Sequence, residues 1–381
     1  MHTPQEQHYY TFDHQPTIDE MRDMAIRAQD DMLRVEWFTD RDFSFYKNKH
    51  TYSYLKGARY GGLIYGTAQR TLAAFHEYMK PGTNVLDFET IAQHPDSPSH
   101  GDDVAWKANM ALGNTCSGST CWALFTVCNS IRGRCICFEL TQENGFIPVA
   151  PCTYDPAITD FQETDTKAIC AQNGDQTMYE SYANSHRGDL FLYQTAGGGM
   201  GGHSIMLLSE PVVVRNDDGT IDPHHSYVMV HDQRMGFFVR LNENNQPVYH
   251  SGRTSAVQTF AEALRLCYIP LTTLEFLGKK PYDMPEVKWE EAENGGTHIT
   301  ANYPVGVAKI VVTDGEGAQE RVFLKCFGRD DIGSREAFDF TVPALEAEAA
   351  KSKLWQDGAK AELIVILADN YPRTIRALEF Q

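Results

Sequence analysis

The chain contains neither a long apolar run nor a block of basic residues. No stretch of its 381 residues approaches the run of about 18 apolar residues that a transmembrane helix needs, so no membrane-spanning segment is predicted. Lys and Arg total 33 against 51 for Asp and Glu, a formal net charge of −18. A negative field repels polyanions, and no local basic patch offsets it, so nucleic acid is not expected as a partner.

Targeting signals, internal repeats and low-complexity tracts are also missing. Residues 1–16 have neither the basic nor the apolar region of a signal peptide, so no export signal is predicted in this chain. The sequence by itself assigns no compartment.

The cysteines follow no regular framework. There are nine, an odd number, and most are expected to be reduced core residues because they lie in apolar surroundings: Cys121, Cys128, Cys135, Cys137, Cys267 and Cys326. Neither Cys135 with Cys137 nor His224 with His225 has a second ligand pair at zinc-site spacing. No metal and no other cofactor is therefore predicted.

Several segments have recognisable periodicity. Residues 17–20 form a capping box before apolar positions spaced by three and four, which predicts an amphipathic helix. Residues 117–131 are apolar and predict a buried helix with Cys116 near its N-terminus. The segments that predict strands are 134–140, 189–195, 203–209, 211–215 and 226–232. A helix packed on an antiparallel sheet is an α+β arrangement.

Composition divides the chain into three parts. With 42% apolar residues it is long enough for two domains. We expect an N-terminal helical extension over 1–50, an α+β domain over 51–285, and a small all-β sandwich over 286–381. The last boundary follows a segment rich in Pro, Gly and charge after Pro270. The sandwich is expected to fold independently of the rest.

Cys116 is the candidate nucleophile. A helix N-terminus stabilises a thiolate through its unpaired N–H groups and its dipole. Ser117 and Gly118 are small and leave room for a substrate carbonyl, and the N–H groups there are suited to an oxyanion. The alternative is a buried structural cysteine, which is the more common role of a Cys in an apolar helix.

A histidine and an orienting group are needed to complete such a site. His203 begins a predicted strand after a glycine-rich turn, where its imidazole can face a helix end as a base. His231 and Asp232 end the last strand of the predicted sheet, and either side chain can orient a base. Adjacent strand residues face opposite ways, so one of the two is expected to do so. The alternative is that all three are ordinary surface residues at strand ends.

Three motifs that carry the candidate catalytic residues, and one upstream loop, resemble the NlpC/P60 family of papain-like cysteine peptidases. The run "NTCSGSTCWA" resembles the family's Asp-Cys-Ser-Gly nucleophile motif, and "RGDLFLYQTAGGGMGGHSIMLL" its Gly-Asp strand and His-bearing strand. The run "SYVMVHD" resembles the strand that ends in the third catalytic residue. "RYGGLIYGTAQ" is similar to an upstream loop containing a tyrosine. The likeness covers about residues 50 to 270.

The resemblance implies a fold and a set of roles. The fold would be a papain-like domain. The immunoglobulin-like sandwich expected after it follows from the strand pattern of residues 286–381 and not from the resemblance. Cys116 would be the nucleophile, His203 the base and His231 the orienting residue, with Asp232 as the alternative. Tyr65 and Ser117 would contact the substrate.

Two features depart from the family pattern. Asn114 and Thr115 stand where the family usually has an Asp directly before the Cys. Cys116 and His203 are 87 positions apart, which predicts an insertion over residues 141–185 that reshapes the cleft.

The function that follows is a cysteine hydrolase acting on a peptide or amide bond through a thioester. The resemblance implies peptidoglycan peptides as substrate and the cell envelope or the exterior as compartment. Two alternatives stay open: a non-catalytic module that binds the wall or a protein, and an acyltransferase or transamidase on the same machinery.

Overall fold

A computed structural model describes residues 7–47, 50–92, 112–195, 201–242 and 244–380. The helices of these parts are α1 (Ile18–Arg34), α2 (Leu72–His76), α3 (Phe88–Ala92), α4 (Cys116–Leu124), α5 (Thr166–Asn173), α6 (Asp175–Ala183), α7 (Phe260–Arg265), α8 (Arg329–Ser334) and α9 (Leu345–Ala349). None of the helices described is both long and apolar enough to cross a bilayer.

The strands form an N-terminal and a C-terminal group. The first group is β1 (Glu36–Phe38), β2 (Phe43–Lys47), β3 (His50–Tyr54), β4 (Arg59–Gly61), β5 (Phe146–Pro148), β6 (Leu190–Tyr193), β7 (His203–Leu207), β8 (Tyr227–Leu241), β9 (Pro247–Thr259) and β10 (Ile269–Thr273). The second group is β11 (Val287–Glu291), β12 (Thr297–Ala301), β13 (Val305–Thr313), β14 (Gln319–Cys326), β15 (Asp339–Val342), β16 (Lys360–Leu367) and β17 (Pro372–Glu379).

An eight-stranded sheet forms the centre of the N-terminal part. Its order is β1-β4-β9-β8-β7-β6-β10-β5, and its pairs are antiparallel except β4 with β9. Helix α4 packs on β7 and on α1, and α1 in turn packs on β9. Mixed helices and sheet agree with the predicted α+β class. The helix that begins at Cys116 is thereby fixed against the strand that begins at His203.

Helix α1 forms as its sequence predicts. The Thr17 side chain accepts from the Glu20 N–H, and the Glu20 carboxylate accepts from the Thr17 N–H, so both halves of the capping box are present. Its apolar side chains are buried against α4, and Gln29 Nε2 donates to Ser119 Oγ at 3.2 Å. The expected extension over 1–50 is therefore corrected: α1 packs in the layer of α4, and β1 is an edge of the central sheet.

Two expected strands are not formed as predicted. Residues 134–140 contain a 3-10 turn at Cys137–Glu139, and Cys135 has a left-handed conformation with φ of 56°, which a regular strand does not contain. Residues 211–215 make only isolated bridges, Val212 with Tyr227 and Arg215 with Ile221. The expected insertion over 141–185 contains β5, α5 and α6.

Residues 286–380 contain two antiparallel sheets. The smaller has the order β11-β12-β15 and the larger β14-β13-β16-β17. Helix α8 precedes β15 and α9 follows it, and α9 packs on the larger sheet. The expectation of an all-β part is therefore corrected by these two short helices.

The C-terminal sheets dock on the segment around α2. Arg70 Nη1 donates to the Cys326 carbonyl at 2.7 Å, and Arg321 Nη1 donates to the Glu77 carbonyl at 2.7 Å. Lys309 Nζ lies 2.5 Å from the Glu77 carboxylate. Buried side chains of both parts belong to one continuous hydrophobic cluster, so the two parts share a core.

Candidate active site

Cys116 is the first residue of α4. Thr115 caps the helix, since its Oγ1 accepts from the Gly118 N–H at 3.2 Å. The Cys116 side chain is 4% exposed. The unpaired N–H groups of the first turn and the dipole of this nine-residue helix favour a negative sulfur at this position. The sequence-based expectation that Cys116 lies at a helix start agrees with this placement.

His203 and Asp232 form a hydrogen-bonded pair. His203 Nε2 lies 2.8 Å from Asp232 Oδ1. A carboxylate accepts only, so Nε2 carries the proton in this bond and Nδ1 is free to act toward the thiol. The Asp232 side chain is 2% exposed, which protects the bond from competition by water.

His231 does not orient His203, which corrects the predicted ranking of His231 over Asp232. The ladder pairs Met206 with His231 and Leu207 with Val230. Because side chains alternate along a strand, His203 and Leu207 share one face with Val230 and Asp232, and His231 points to the other. There it is fully buried, with Nε2 3.8 Å from Asp30 Oδ1 of α1. Burial lowers the pKa of His231.

Two neighbours stabilise the thiolate of Cys116. The Cys137 thiol is a hydrogen-bond donor to it, with the two Sγ atoms 3.9 Å apart, and His203 adds its charge and a hydrogen bond. Cys137 first and His203 second hold the pKa of Cys116 well below its usual range, against the opposing effect of burial. The pKa of Cys137 is raised by the same hydrogen bond and by burial, so Cys137 stays protonated.

His203 is correspondingly held as imidazolium. Burial lowers its pKa, but the Cys116 thiolate and the Asp232 carboxylate outweigh burial and raise the pKa of His203 to about 9. A depressed thiol pKa beside a raised imidazole pKa favours a thiolate–imidazolium pair, in which the proton of the thiol resides on the imidazole.

Arg234 is a fourth charged residue of the site, after Cys116, His203 and Asp232. Its Nη2 pairs with Asp232 Oδ2, so the two carboxylate oxygens are divided between His203 and Arg234. Positions 232 and 234 share a strand face, which brings the guanidinium to the same side as the imidazole. Burial raises the pKa of Asp232, but His203 and then Arg234 outweigh it and lower the pKa.

Tyr65 and Ser117, the two residues expected to contact the substrate, both lie next to Cys116. The Tyr65 hydroxyl lies 4.0 Å from Cys116 Sγ, and burial raises its pKa, which keeps it a hydrogen-bond donor. Ser117 Oγ lies 3.4 Å from Thr115 Oγ1, and its side chain is buried at the helix cap. The structure places Ser117 at the start of the helix, and its contact with a substrate stays a prediction.

Three residues were not predicted from the sequence to belong to the site: Gln69, Cys137 and Arg234. Gln69 Nε2 donates to Thr115 Oγ1 and to the Cys135 carbonyl, each at 3.1 Å, and so links the helix cap to the segment that carries Cys137. Gln69 and Cys137 are far from Cys116 in sequence and carry no local signal. Arg234 does have one, since it stands two positions after Asp232 on the same strand.

The imidazole has aromatic neighbours. The Tyr193 ring centroid lies 6.1 Å from that of His203 and 5.1 Å from that of Tyr268. Burial raises the pKa of both tyrosines, so both are neutral. Residues 196–200 of the glycine-rich turn before His203 lie outside the described part of the chain.

The structure contains no grouping of three or more potential metal ligands among the residues it describes. Comparison with known proteins adds no relative, since no family model, no curated protein and no solved structure matches the chain.

Proposed function

We propose that this protein is a cysteine hydrolase that cleaves a peptide or amide bond through an acyl-enzyme thioester. The observation that supports it most is the row Cys116, His203 and Asp232, in which a thiolate at a helix start faces an imidazolium held by a carboxylate at 2.8 Å. A nucleophile, a base and an orienter in this relation are the parts that covalent acyl transfer requires.

The chemistry divides between these residues. The Cys116 thiolate attacks the substrate carbonyl and forms a tetrahedral oxyanion, close to the N–H groups of the α4 start and the Tyr65 hydroxyl. The imidazolium of His203 gives its Nδ1 proton to the leaving amine, and the thioester forms. Neutral His203 then takes a proton from water, which attacks the thioester and releases the acid and Cys116.

We propose peptidoglycan peptides as the substrate class, a papain-like fold for the helix-on-sheet part and an immunoglobulin-like fold for the C-terminal sheets. The first two rest on the resemblance to the NlpC/P60 family, and the third rests on the strand pattern of residues 286–381 and on the two antiparallel sheets there. In this chain Asp232, the residue after the expected His231, takes the orienting role.

The test is turnover by the full chain. The protein is incubated with muropeptides and, separately, with a general peptide pool in heavy-oxygen water, and products are identified by mass spectrometry. Hydrolysis adds one heavy oxygen to each new carboxyl group, whereas transfer to an added amine gives an amide without it. Cys116→Ala is expected to abolish turnover and Cys121→Ala, in the same helix, to retain it. Equal turnover by Cys116→Ala would contradict the proposal.

A further inference from the structure

A second thiol lies next to the proposed nucleophile and stabilises its thiolate, but it forms no bond to the substrate in the hydrolytic steps. Cys116 Sγ and Cys137 Sγ are 3.9 Å apart, and both residues are free cysteines. In a disulfide the sulfurs are about 2.0 Å apart, so closing the pair takes a movement of about 2 Å. A change of side-chain rotamer is the ordinary source of such a movement.

The surroundings keep the Cys137 side chain close to Cys116. A Cβ at Gly202, the residue before His203, would lie 2.7 Å from the Cys137 Cβ. Glycine at this position thus leaves space for Cys137 between the His203 strand and α4. The Cys137 thiol is protonated and donates a hydrogen bond to the Cys116 thiolate. The pair therefore consists of a reactive sulfur at Cys116 and a neighbouring thiol at Cys137 that can react with it once it is oxidised.

The other thiols of the cluster are less well placed. Cys121 lies five positions after Cys116 on α4, and residues five apart on a helix do not share a face. Cys121 is fully buried, and burial first and Cys135 second raise its pKa. Cys137 is therefore the thiol best placed to form a disulfide with an oxidised Cys116.

We propose that Cys116 and Cys137 form a reversible disulfide when the protein meets a hydroperoxide, and that this bond switches the site off. The proposal uses the reactive Cys116 of the proposed function. With the sulfur of Cys116 in a disulfide, no thiolate is left to attack a carbonyl.

The steps balance with hydrogen peroxide as the oxidant. The Cys116 thiolate attacks one peroxide oxygen, the O–O bond breaks, and a sulfenic acid forms while hydroxide takes up a proton to become water. The Cys137 sulfur then attacks the sulfenic sulfur, the S–S bond forms and the S–O bond breaks. The departing hydroxide takes the Cys137 proton and leaves as water. Two thiols are oxidised and one peroxide is reduced.

The experiment uses the reduced full chain. Iodoacetamide labelling near pH 6 first establishes that Cys116 is reactive, which is a test of the proposed function alone. A second sample is treated with hydrogen peroxide, blocked with N-ethylmaleimide, digested with trypsin and analysed by tandem mass spectrometry. Cleavage after Lys107, Arg132, Arg134 and Lys167 places Cys116 in peptide 108–132 and Cys137 in peptide 135–167.

The expected product is a link between these two peptides that dithiothreitol removes, with loss and recovery of Cys116 labelling. Because each peptide holds three cysteines, variants assign the link. Cys121→Ser and Cys135→Ser are expected to keep it. Cys137→Ser is expected to lose it and to carry Cys116 forward to sulfinic acid, which dithiothreitol does not reverse. A reactive Cys116 that gives no link in the wild type, or a link that persists in Cys137→Ser, would overturn the proposal.

Discussion

The Asp232 carboxylate lies 2.8 Å from His203 Nε2, whereas its neighbour His231 is turned to the opposite face of the sheet and lies 3.8 Å from Asp30. Because adjacent strand residues face opposite ways, Asp232 contacts the imidazole of His203 whereas His231 is buried near α1. Substitutions at the two positions are therefore expected to have different effects on activity and stability.

Asp232→Asn is expected to lower kcat by roughly one to four orders of magnitude, the range between loss of a supporting contact and loss of a triad orienter. The thermal midpoint is expected to fall as well, because Asn keeps the shape of the side chain but leaves Arg234 without its buried carboxylate partner. His231→Leu is the matched control and is expected to keep kcat while changing stability, since the ring is fully buried. Kinetics and thermal unfolding of both variants check this, and a greater loss of kcat in His231→Leu would contradict it.

The pH dependence of kcat/KM follows from the ion pair. Because the pKa of Cys116 is lowered and that of His203 is raised to about 9, activity is expected to persist well below the usual thiol range. It should then fall near about pH 9 as the imidazolium loses its proton. Asp232→Asn removes a group that favours the imidazolium, so the alkaline limb should move to lower pH. A limb that stays in place would show that the carboxylate does not act on His203.

Part of this site could be predicted from the sequence, because the features that determine it lie within short segments of the chain. The apolar run over residues 117–131 predicts Cys116 near a helix start, where the structure has it, and alternation places His231 and Asp232 on opposite faces. The choice between them depends on the register of β7 against β8, which pairs Leu207 with Val230. Residues 208–226 intervene, and no local pattern sets the register across a connection of that length.

Contacts between residues that are far apart in the chain could not be predicted from the sequence either. The strand-like composition of residues 134–140 predicts an extended segment, yet Cys135 is left-handed there and Cys137 lies next to Cys116. The Gln69 contact to Thr115 joins positions 46 apart. Such contacts depend on the packing of the whole domain and not on periodicity.

Arg234 is expected to act as a positioning residue. Arg234→Gln removes the cation that shares Asp232, and we expect kcat to fall by about 10- to 100-fold, the usual effect of losing a group that orients a ligand or base. Because Asp232 loses a neighbour that lowers its pKa, the acid limb of the kcat/KM profile should move to higher pH. Arg234→Lys should restore part of the rate. A purely structural role would leave the profile in place and change only the thermal midpoint.

The C-terminal sheets are expected to be needed for stability. Removing residues 286–381 uncovers Ala73 and Ala74, which pack with Val307 and Ile366, and takes both cationic partners from Glu77. The fragment 1–285 should therefore be less soluble or unfold at lower temperature than the full chain. This result would contradict the sequence-based expectation of an independently folding sandwich.

A milder change in the full chain tests the same interface. Lys309→Met with Arg321→Met leaves the mostly buried Glu77 carboxylate without these partners, and we expect a loss of about 3–5 kcal/mol in unfolding free energy. Adding Glu77→Gln removes the unpaired charge and should recover part of the loss. Chemical denaturation of the three proteins measures it, and unchanged stability of the double variant would show that the interface contributes little.

The most direct measurement is the rate of iodoacetamide labelling at each cysteine near pH 6, in the wild type and in His203→Ala. Cys116 is expected to react first, because its pKa is lowered while burial raises that of Cys121. Loss of the imidazolium in His203→Ala should slow labelling of Cys116 and leave the other cysteines unchanged. Faster labelling of Cys121 or of another thiol, or a Cys116 rate that does not respond to His203→Ala, would contradict the assignment of this pair as the reactive centre.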